Sequence, residues 1–330
     1  MTTNRAIHLA ARPVGEAVLT DFELVATELP DLQDGQVLVR NTWMSVDPYM
    51  RGRMDDVESY MPAFELGAPL DGSAIGEVVA SRDPEIPVGA TVVHFLGWRE
   101  YAVTGEAIVV DPSIPSEHYL GALGTTGLTA YIALTDTAPV KDGDVVFVSA
   151  AAGAVGTIAG QLARKLGASK VIGSAGGPLK TKRLVEEFGY DAAIDYRAGS
   201  IREQLKRAAP DGIDVYLDHV GGDHLVAAID ALRTGGRIAM VGAISAYNAT
   251  EPVPGPANLF DLAAKNATLR GMLINFYLDR FPEWIGQAAG WLADGSLHTE
   301  VTVEEGIQRA PQAFLDMMHG GNVGKMLVRL

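Results

Sequence analysis

The chain has 330 residues, 48% of them hydrophobic, no cysteine and a formal net charge of −15. At about 150 residues per domain the length predicts two domains, and the apolar content excludes a disordered chain. The lack of cysteine excludes disulfides, a catalytic thiol and any Cys-ligated zinc, and the acidic balance disfavours nucleic acid and anionic membranes as partners. The N-terminal stretch MTTNRAIHLAARPVG lacks the apolar run of a signal peptide. No segment approaches the roughly 18 apolar residues of a membrane span. The default expectation is a cytoplasmic protein.

In chain order, residues 1–120 read as β-rich. Short apolar runs (Gln36–Arg40, Ala74–Ser81, Thr91–Phe95) are punctuated by Gly, Pro and Asp, with a turn at Asp34–Gly35. A helix is expected over about His118–Leu134, interrupted by the glycines of Gly121–Gly127. From Asp144 strands and helices alternate: strand DVVFVSA, helix Ala154–Leu166 capped by Gly167, strand Lys170–Ile172, helix Leu179–Phe188, strand Ala192–Asp195 and helix Ile201–Ala208. Strand Asp214–Leu217, helix Asp223–Leu232 and strand Arg237–Val241 continue the pattern. The run NATEPVPGPANLF reads as a loop, followed by strand Thr268–Leu273 and helix Pro282–Leu292. A strand, a helix and the final strand KMLVRL complete the tail. Such alternation predicts an α/β fold with a doubly wound parallel sheet. The β-rich start and the tail point to one discontinuous domain around it.

SAAAGAVG, Ser149–Gly156, follows a predicted strand and opens a predicted helix. In that context a glycine-containing turn predicts dinucleotide binding through Ala152, Gly153, Ala154, Val155 and Gly156. Gly153 lets the backbone approach a pyrophosphate, Gly156 allows close helix–strand packing, and the helix N-terminus attracts the anion. Ala151 stands where the usual fingerprint has its first glycine. An NAD site places a carboxylate about 20 residues on. Here VIGSAGGPLK has none before Glu186, and offers Ser174, Gly176, Gly177 and Lys180 instead. Space, a hydroxyl and a cation suit the 2′-phosphate of NADP.

The segments SVDPYMRGRM (45–54), GTTGLTAY (124–131), VSAAAGAVG (148–156), AGGPLK (175–180), DVYLDHVGG (214–222), GAISAYNATEPVPGP (242–256) and GGNVGKMLV (320–328) run through the whole chain in order. In these the chain resembles the medium-chain dehydrogenase/reductase superfamily. Within it, it resembles the zinc-independent branch of prostaglandin reductases (leukotriene B4 12-hydroxydehydrogenases), plant double-bond reductases and curcumin reductases. The resemblance implies a GroES-like catalytic domain from residues 1–122 and 296–330, a Rossmann NADP-binding domain at 123–295, and an active site in the cleft between them. It implies a homodimer through the last Rossmann strand. It also implies that Lys180 and Tyr196 hold the 2′-phosphate and that Thr126, Thr129, Val220, Gly242, Ile244 and Asn322 border the cofactor. Family members often carry Asn where this chain has His219. A contact to cofactor or substrate is one reading of His219; a tolerated polar variant beside Asp218 is the other, and His219 is not counted as catalytic.

The seven histidines are scattered, and His219 and His224 are poorly spaced for one helical face. No metal ligand set is therefore expected. The activity implied is NADPH-dependent reduction of the C=C bond of an α,β-unsaturated ketone or aldehyde. Hydride adds to the β-carbon, and a hydroxyl stabilises the enolate. Tyr247, just past the fifth strand of the sheet, is the first candidate donor, and Tyr49 the second. Tyr60, Met61 and Tyr277 are candidate substrate-pocket residues. The alternatives are an NADPH-dependent quinone reductase and a non-catalytic NADPH-binding structural protein.

Overall fold

The computed structural model describes residues 3–330. It divides into two compact units, one comprising the chain up to Leu120 with Val301–Asn322 and Met326–Leu330, the other Gly121–Glu300 with Val323–Lys325. Residues 296–300 and 323–325 thus pack with the central unit and not with the tail.

In the first unit β1 (Thr3–Leu9) pairs antiparallel with β2 (Phe22–Glu28), Leu9 facing Phe22. β3 (Val37–Ser45) is followed by the short helix α1 (Met50–Arg53), β4 (Ala74–Ser81), β5 (Thr91–His94), β6 (Tyr101–Thr104), β7 (Ile108–Val109) and helix α2 (Ser116–Leu120). β3 pairs antiparallel with both β4 and β6. Alternate β3 residues Val37, Val39 and Asn41 are buried while Arg40 is exposed, the period-two pattern of a strand with one face on a core. Trp98 is wholly buried. Its ring stacks on Phe22 at 6.1 Å and meets Phe314 edge-on at 6.5 Å.

The second unit begins with α3 (Thr125–Ile132), which runs into a π-helical turn at Ala133–Thr137. Then come β8 (Val145–Val148), α4 (Ala154–Lys165), β9 (Lys170–Ala175), α5 (Pro178–Glu187), β10 (Ala192–Asp195), α6 (Ile201–Ala208), β11 (Ile213–Asp218), α7 (Gly222–Ala231) and β12 (Leu232–Met240). α8 (Phe260–Ala264), β13 (Thr268–Gly271) and α9 (Phe281–Ala293) complete it. The six strands are parallel in the order β10-β9-β8-β11-β12-β13. All four residues of β8 are buried, as a central parallel strand requires. The chain winds outward from β8 in one direction, then returns to β11 and winds in the other. Right-handed crossovers place helices on opposite faces for the two halves, and the order reverses between β8 and β11, where doubly wound sheets bind their ligands. Gly167 takes φ +99° just past α4, as a C-terminal cap does. α8 is a helix of five residues that begins at the end of the run read as loop.

The tail returns to the first unit as β14 (Val301–Glu305), α10 (Ala310–Met318) and β15 (Lys325–Arg329). β15 pairs antiparallel with β3, Leu327 opposite Ser45, extending the sheet to the order β14-β15-β3-β4-β5-β7. Among the described residues no helix is long and apolar enough to cross a membrane.

Candidate functional site at the carboxyl ends of the parallel strands

Beyond β8 the chain turns sharply. Ala150, not Ala151, takes the left-handed conformation, with φ +47°. The Ala151 amide is then tied to Ser174 O at 2.9 Å. Gly153 is the N-cap of α4 in extended conformation, and no side chain caps the first turn of that helix. The donors of that turn are therefore available to an anion. A Cβ on Gly156 would lie 2.5 Å from Ala151 Cα, so helix and turn approach this closely only because residue 156 has no side chain. Ala152 O accepts from the Gly324 amide at 2.8 Å, and Ala154 and Val155 follow as the first helical residues. The build fits a bound pyrophosphate: an uncapped helix start behind a turn in which Gly153, and Gly156 one turn on, carry no Cβ.

At the end of β11, Asp218 is wholly buried. Its Oδ1 accepts from the Tyr216 hydroxyl at 2.7 Å, the Val220 amide at 2.9 Å and the Gly221 amide at 2.8 Å. His219 is clamped by Ser149. Its amide donates to Ser149 Oγ at 2.9 Å, and its Nδ1 lies 2.7 Å from Ser149 O. A carbonyl oxygen only accepts, so Nδ1 carries the proton. Burial pushes the His219 pKa down, opposed by the Ser149 carbonyl and the Asp218 charge. The ring thus joins the ends of β8 and β11. Ser149 and Tyr216, which complete this network, lie inside the motifs SAAAGAVG and DVYLDHVGG, but their roles carry no sequence signal: Ser149 takes its role from a partner 70 residues away, and Tyr216 from a buried carboxylate.

The end of β12 lies beside it. Ile244 N donates to His219 O at 3.1 Å, and Ser245 N to Val220 O at 3.2 Å, which fixes the segment carrying Gly242, Ile244 and Tyr247. The Tyr247 hydroxyl is 3.5 Å from the Ala243 amide and 3.2 Å from the position of a Cβ on Gly242. Burial raises the Tyr247 pKa. The Ala243 amide opposes the rise and the Asp218 charge adds to it. The hydroxyl is therefore a protonated donor at neutral pH.

At the end of β9, Ser174 is wholly buried inside the strand. Its hydroxyl is out of contact with solvent and has no hydrogen-bond partner among the described residues. Gly176, Tyr196 and Arg197 are brought together: a Cβ on Gly176 would lie 2.9 Å from the Tyr196 hydroxyl and 2.8 Å from Arg197 Nε. Lys180 lies in the first turn of α5. Burial, then the Arg197 charge, lower its pKa.

The remaining candidates are placed as follows. Thr126 and Thr129 are buried in α3, their hydroxyls donating to Gly121 O at 2.8 Å and Thr125 O at 2.7 Å. The Tyr277 hydroxyl accepts from Arg270 at 2.9 Å and donates to Asp136 at 3.3 Å, which occupies it in an ion-pair cluster. In the first unit Tyr60 is 53% exposed, Met61 is half-buried and Asn322 is buried. The Tyr49 hydroxyl is buried with no hydrogen-bond partner among the described residues. Burial first, then Asp47, raise its pKa well above the ordinary phenol. Among the described residues one group, Glu187, His298 and Glu300, is close enough to share a metal. Arg183 donates to one oxygen of each carboxylate, at 2.6 and 2.9 Å, and so already balances their charge.

A parallel sheet in this strand order, with a glycine-containing turn and an uncapped helix start at its switch point, defines a Rossmann-type fold. Two family models match: "N-terminal domain of oxidoreductase" over residues 5–110 and "Zinc-binding dehydrogenase" over residues 154–290. The chain is 38% identical to the NADPH-dependent curcumin reductase of Escherichia coli (strain K12), over 99% of this chain and 97% of that one. It is also 38% identical to the NADP(+)-dependent 2-alkenal reductase of Nicotiana tabacum, again over 99% and 97%. The crystal structure of CurA from Vibrio vulnificus in complex with NADPH superposes with a TM-score of 0.94 at 37% identity, covering 98% of each chain. The chain belongs to the medium-chain dehydrogenase/reductase superfamily, in its zinc-independent branch of curcumin, 2-alkenal and prostaglandin reductases.

Proposed function

We propose that this protein uses NADPH to reduce the C=C bond of α,β-unsaturated ketones or aldehydes. The observation that carries the reading is the Tyr247 hydroxyl, buried and protonated beside Gly242 at the carboxyl end of β12. Full-length likeness to an NADPH-dependent curcumin reductase and a 2-alkenal reductase supports it. The turn Ala152–Gly156 would hold NADPH, which would supply hydride to the substrate β-carbon, while solvent would supply the proton that the α-carbon gains. Tyr247 donates its hydrogen bond to the carbonyl oxygen as negative charge grows there. Tyr49, a second buried phenol, is the alternative donor. Lys180 and Tyr196 hold the 2′-phosphate, the central unit is the cofactor-binding domain, and the first unit carries Tyr49, Tyr60 and Met61 for the substrate. A cytoplasmic location belongs to the same reading, because the reductant is a soluble nucleotide.

The test is a panel of enones, enals and quinones, read by loss of NADPH absorbance and product analysis, before and after prolonged chelation. Saturated ketones or aldehydes should form, and chelation should leave the rate unchanged because a chain without cysteine lacks the family's zinc-ligand chemistry. Turnover of quinones alone would make the protein a quinone reductase. NADPH binding without any turnover would make it a binding protein. Activity lost to the chelator and restored by zinc would overturn the metal-free mechanism.

The same reading includes a homodimer. β13 is the last strand of its sheet, and three of its four residues are exposed. An open edge of this kind invites pairing with a second copy. Light scattering at micromolar concentration is expected to give about twice the chain mass of 34.9 kDa. A monomer would remove the edge-pairing proposal and leave the cofactor assignment intact.

A further inference from the structure

Arg197 was not singled out by any motif, yet the fold directs it onto the same turn as Tyr196 and Gly176. The parallel register sets Asp195, at the end of β10, beside Ala175, at the end of β9. Asp195 Oδ1 accepts from the Gly177 amide at 2.9 Å and from the Arg197 amide at 3.0 Å. One carboxylate thus staples the turn after β9 to the turn after β10. Arg197 Nε and Cζ come to 2.8 and 3.1 Å from the position of a Cβ on Gly176, with the Tyr196 hydroxyl at 2.9 Å. The guanidinium carbon is 5.8 Å from the Tyr196 ring centroid. A side chain at residue 176 would therefore collide with both groups.

The electrostatics of this corner are otherwise unfavourable for NADP. Asp195 is a carboxylate at the neighbouring strand end, and a carboxylate near the ribose favours a hydroxyl and repels a phosphate dianion. Here its oxygen is turned onto backbone amides, and a cation follows two residues later. Lys180 feels that cation, since Arg197 is the second cause, after burial, of its lowered pKa. Two like charges in electrostatic reach of each other are unfavourable together. A dianion bound by both relieves that repulsion.

We infer that Arg197 is a specificity-determining residue for NADP, binding the 2′-phosphate together with Lys180 and Tyr196 and cancelling the charge of Asp195. The inference rests on the NADPH reading above. A guanidinium suits the task because its planar fork matches phosphate oxygens. It also supplies the donor that Ser174, buried within β9, is not exposed to give.

The test is calorimetric titration with 2′,5′-ADP and 5′-AMP, two fragments that differ only in the 2′-phosphate. Wild type should bind 2′,5′-ADP more tightly. Arg197→Ala and Arg197→Gln should each weaken 2′,5′-ADP tenfold or more and leave 5′-AMP within about twofold, with Arg197→Lys recovering part of the loss. Arg197 is exposed, so the unliganded melting temperature should stay unchanged. Equal losses for both fragments would assign Arg197 to the adenosine and overturn the inference, as would no loss for either. Wild-type protein that does not prefer 2′,5′-ADP would instead remove the NADPH reading itself.

Discussion

Tyr247→Phe is expected to slow single-turnover reduction of an enone by about 100- to 1,000-fold while NADPH affinity stays within about twofold. The substitution keeps the ring and deletes only the hydroxyl, the atom that lies beside Gly242. A donor aimed at an oxygen that gains charge is worth more in the transition state than in the ground state. Losing one such donor typically costs about 2.7–4 kcal/mol. A water or a ribose hydroxyl can take over part of the role, which sets about tenfold as the smallest loss consistent with the assignment. The raised pKa matters to the sign: burial and the Asp218 charge keep the phenol protonated, so the rate should show no requirement for Tyr247 ionisation below its ordinary titration range. An unchanged rate would make Tyr247 a packing residue and move the test to Tyr49→Phe. Collapse of NADPH binding would show that the residue shapes the segment Gly242–Tyr247 instead.

Lys180→Ala is expected to erode the NADPH/NADH preference by roughly 10- to 150-fold, the range of one charge-assisted hydrogen bond of about 1.5–3 kcal/mol. The loss should fall on NADPH affinity, with NADH affinity nearly constant, because the two cofactors differ only at the 2′-phosphate. Lys180 is partly buried in the first turn of α5, and its lowered pKa reflects burial and the Arg197 charge. Removing it also relieves that repulsion. The double variant Lys180→Ala/Arg197→Ala should therefore lose less than the two single losses combined, as groups sharing one ligand do. Fluorescence titration of each variant with both nucleotides measures this. A preserved preference in Lys180→Ala would remove the assignment.

Much of the central unit was legible because its signal is local. β10 and α6 match the expected bounds residue for residue, and α4 ends one residue before the expected Leu166, with its glycine cap in place. Short all-apolar runs bounded by glycine leave no other reading for a strand covered on both faces. β2 escaped notice because only Phe22 of its seven residues is buried, so it has no apolar period and forms by pairing with β1. α8 carries no such signal: it has five residues, it starts at Phe260 on the last residue of the Pro- and Gly-rich run, and no side chain caps its start.

By itself the sequence determined the α/β alternation, the position of the glycine-containing turn before α4 and the absence of a carboxylate after β9, since each depends on residues adjacent in the chain. Tertiary structure decided which residues meet. It put the left-handed turn at Ala150, buried Ser174 within its strand, committed the Tyr277 hydroxyl to Arg270 and Asp136, and clamped His219 with Ser149. It also drew Arg197 to Gly176 through Asp195, a placement set by the register of two parallel strands 20 residues apart in the chain. Register is fixed by packing across the whole sheet, so no local pattern could have announced it.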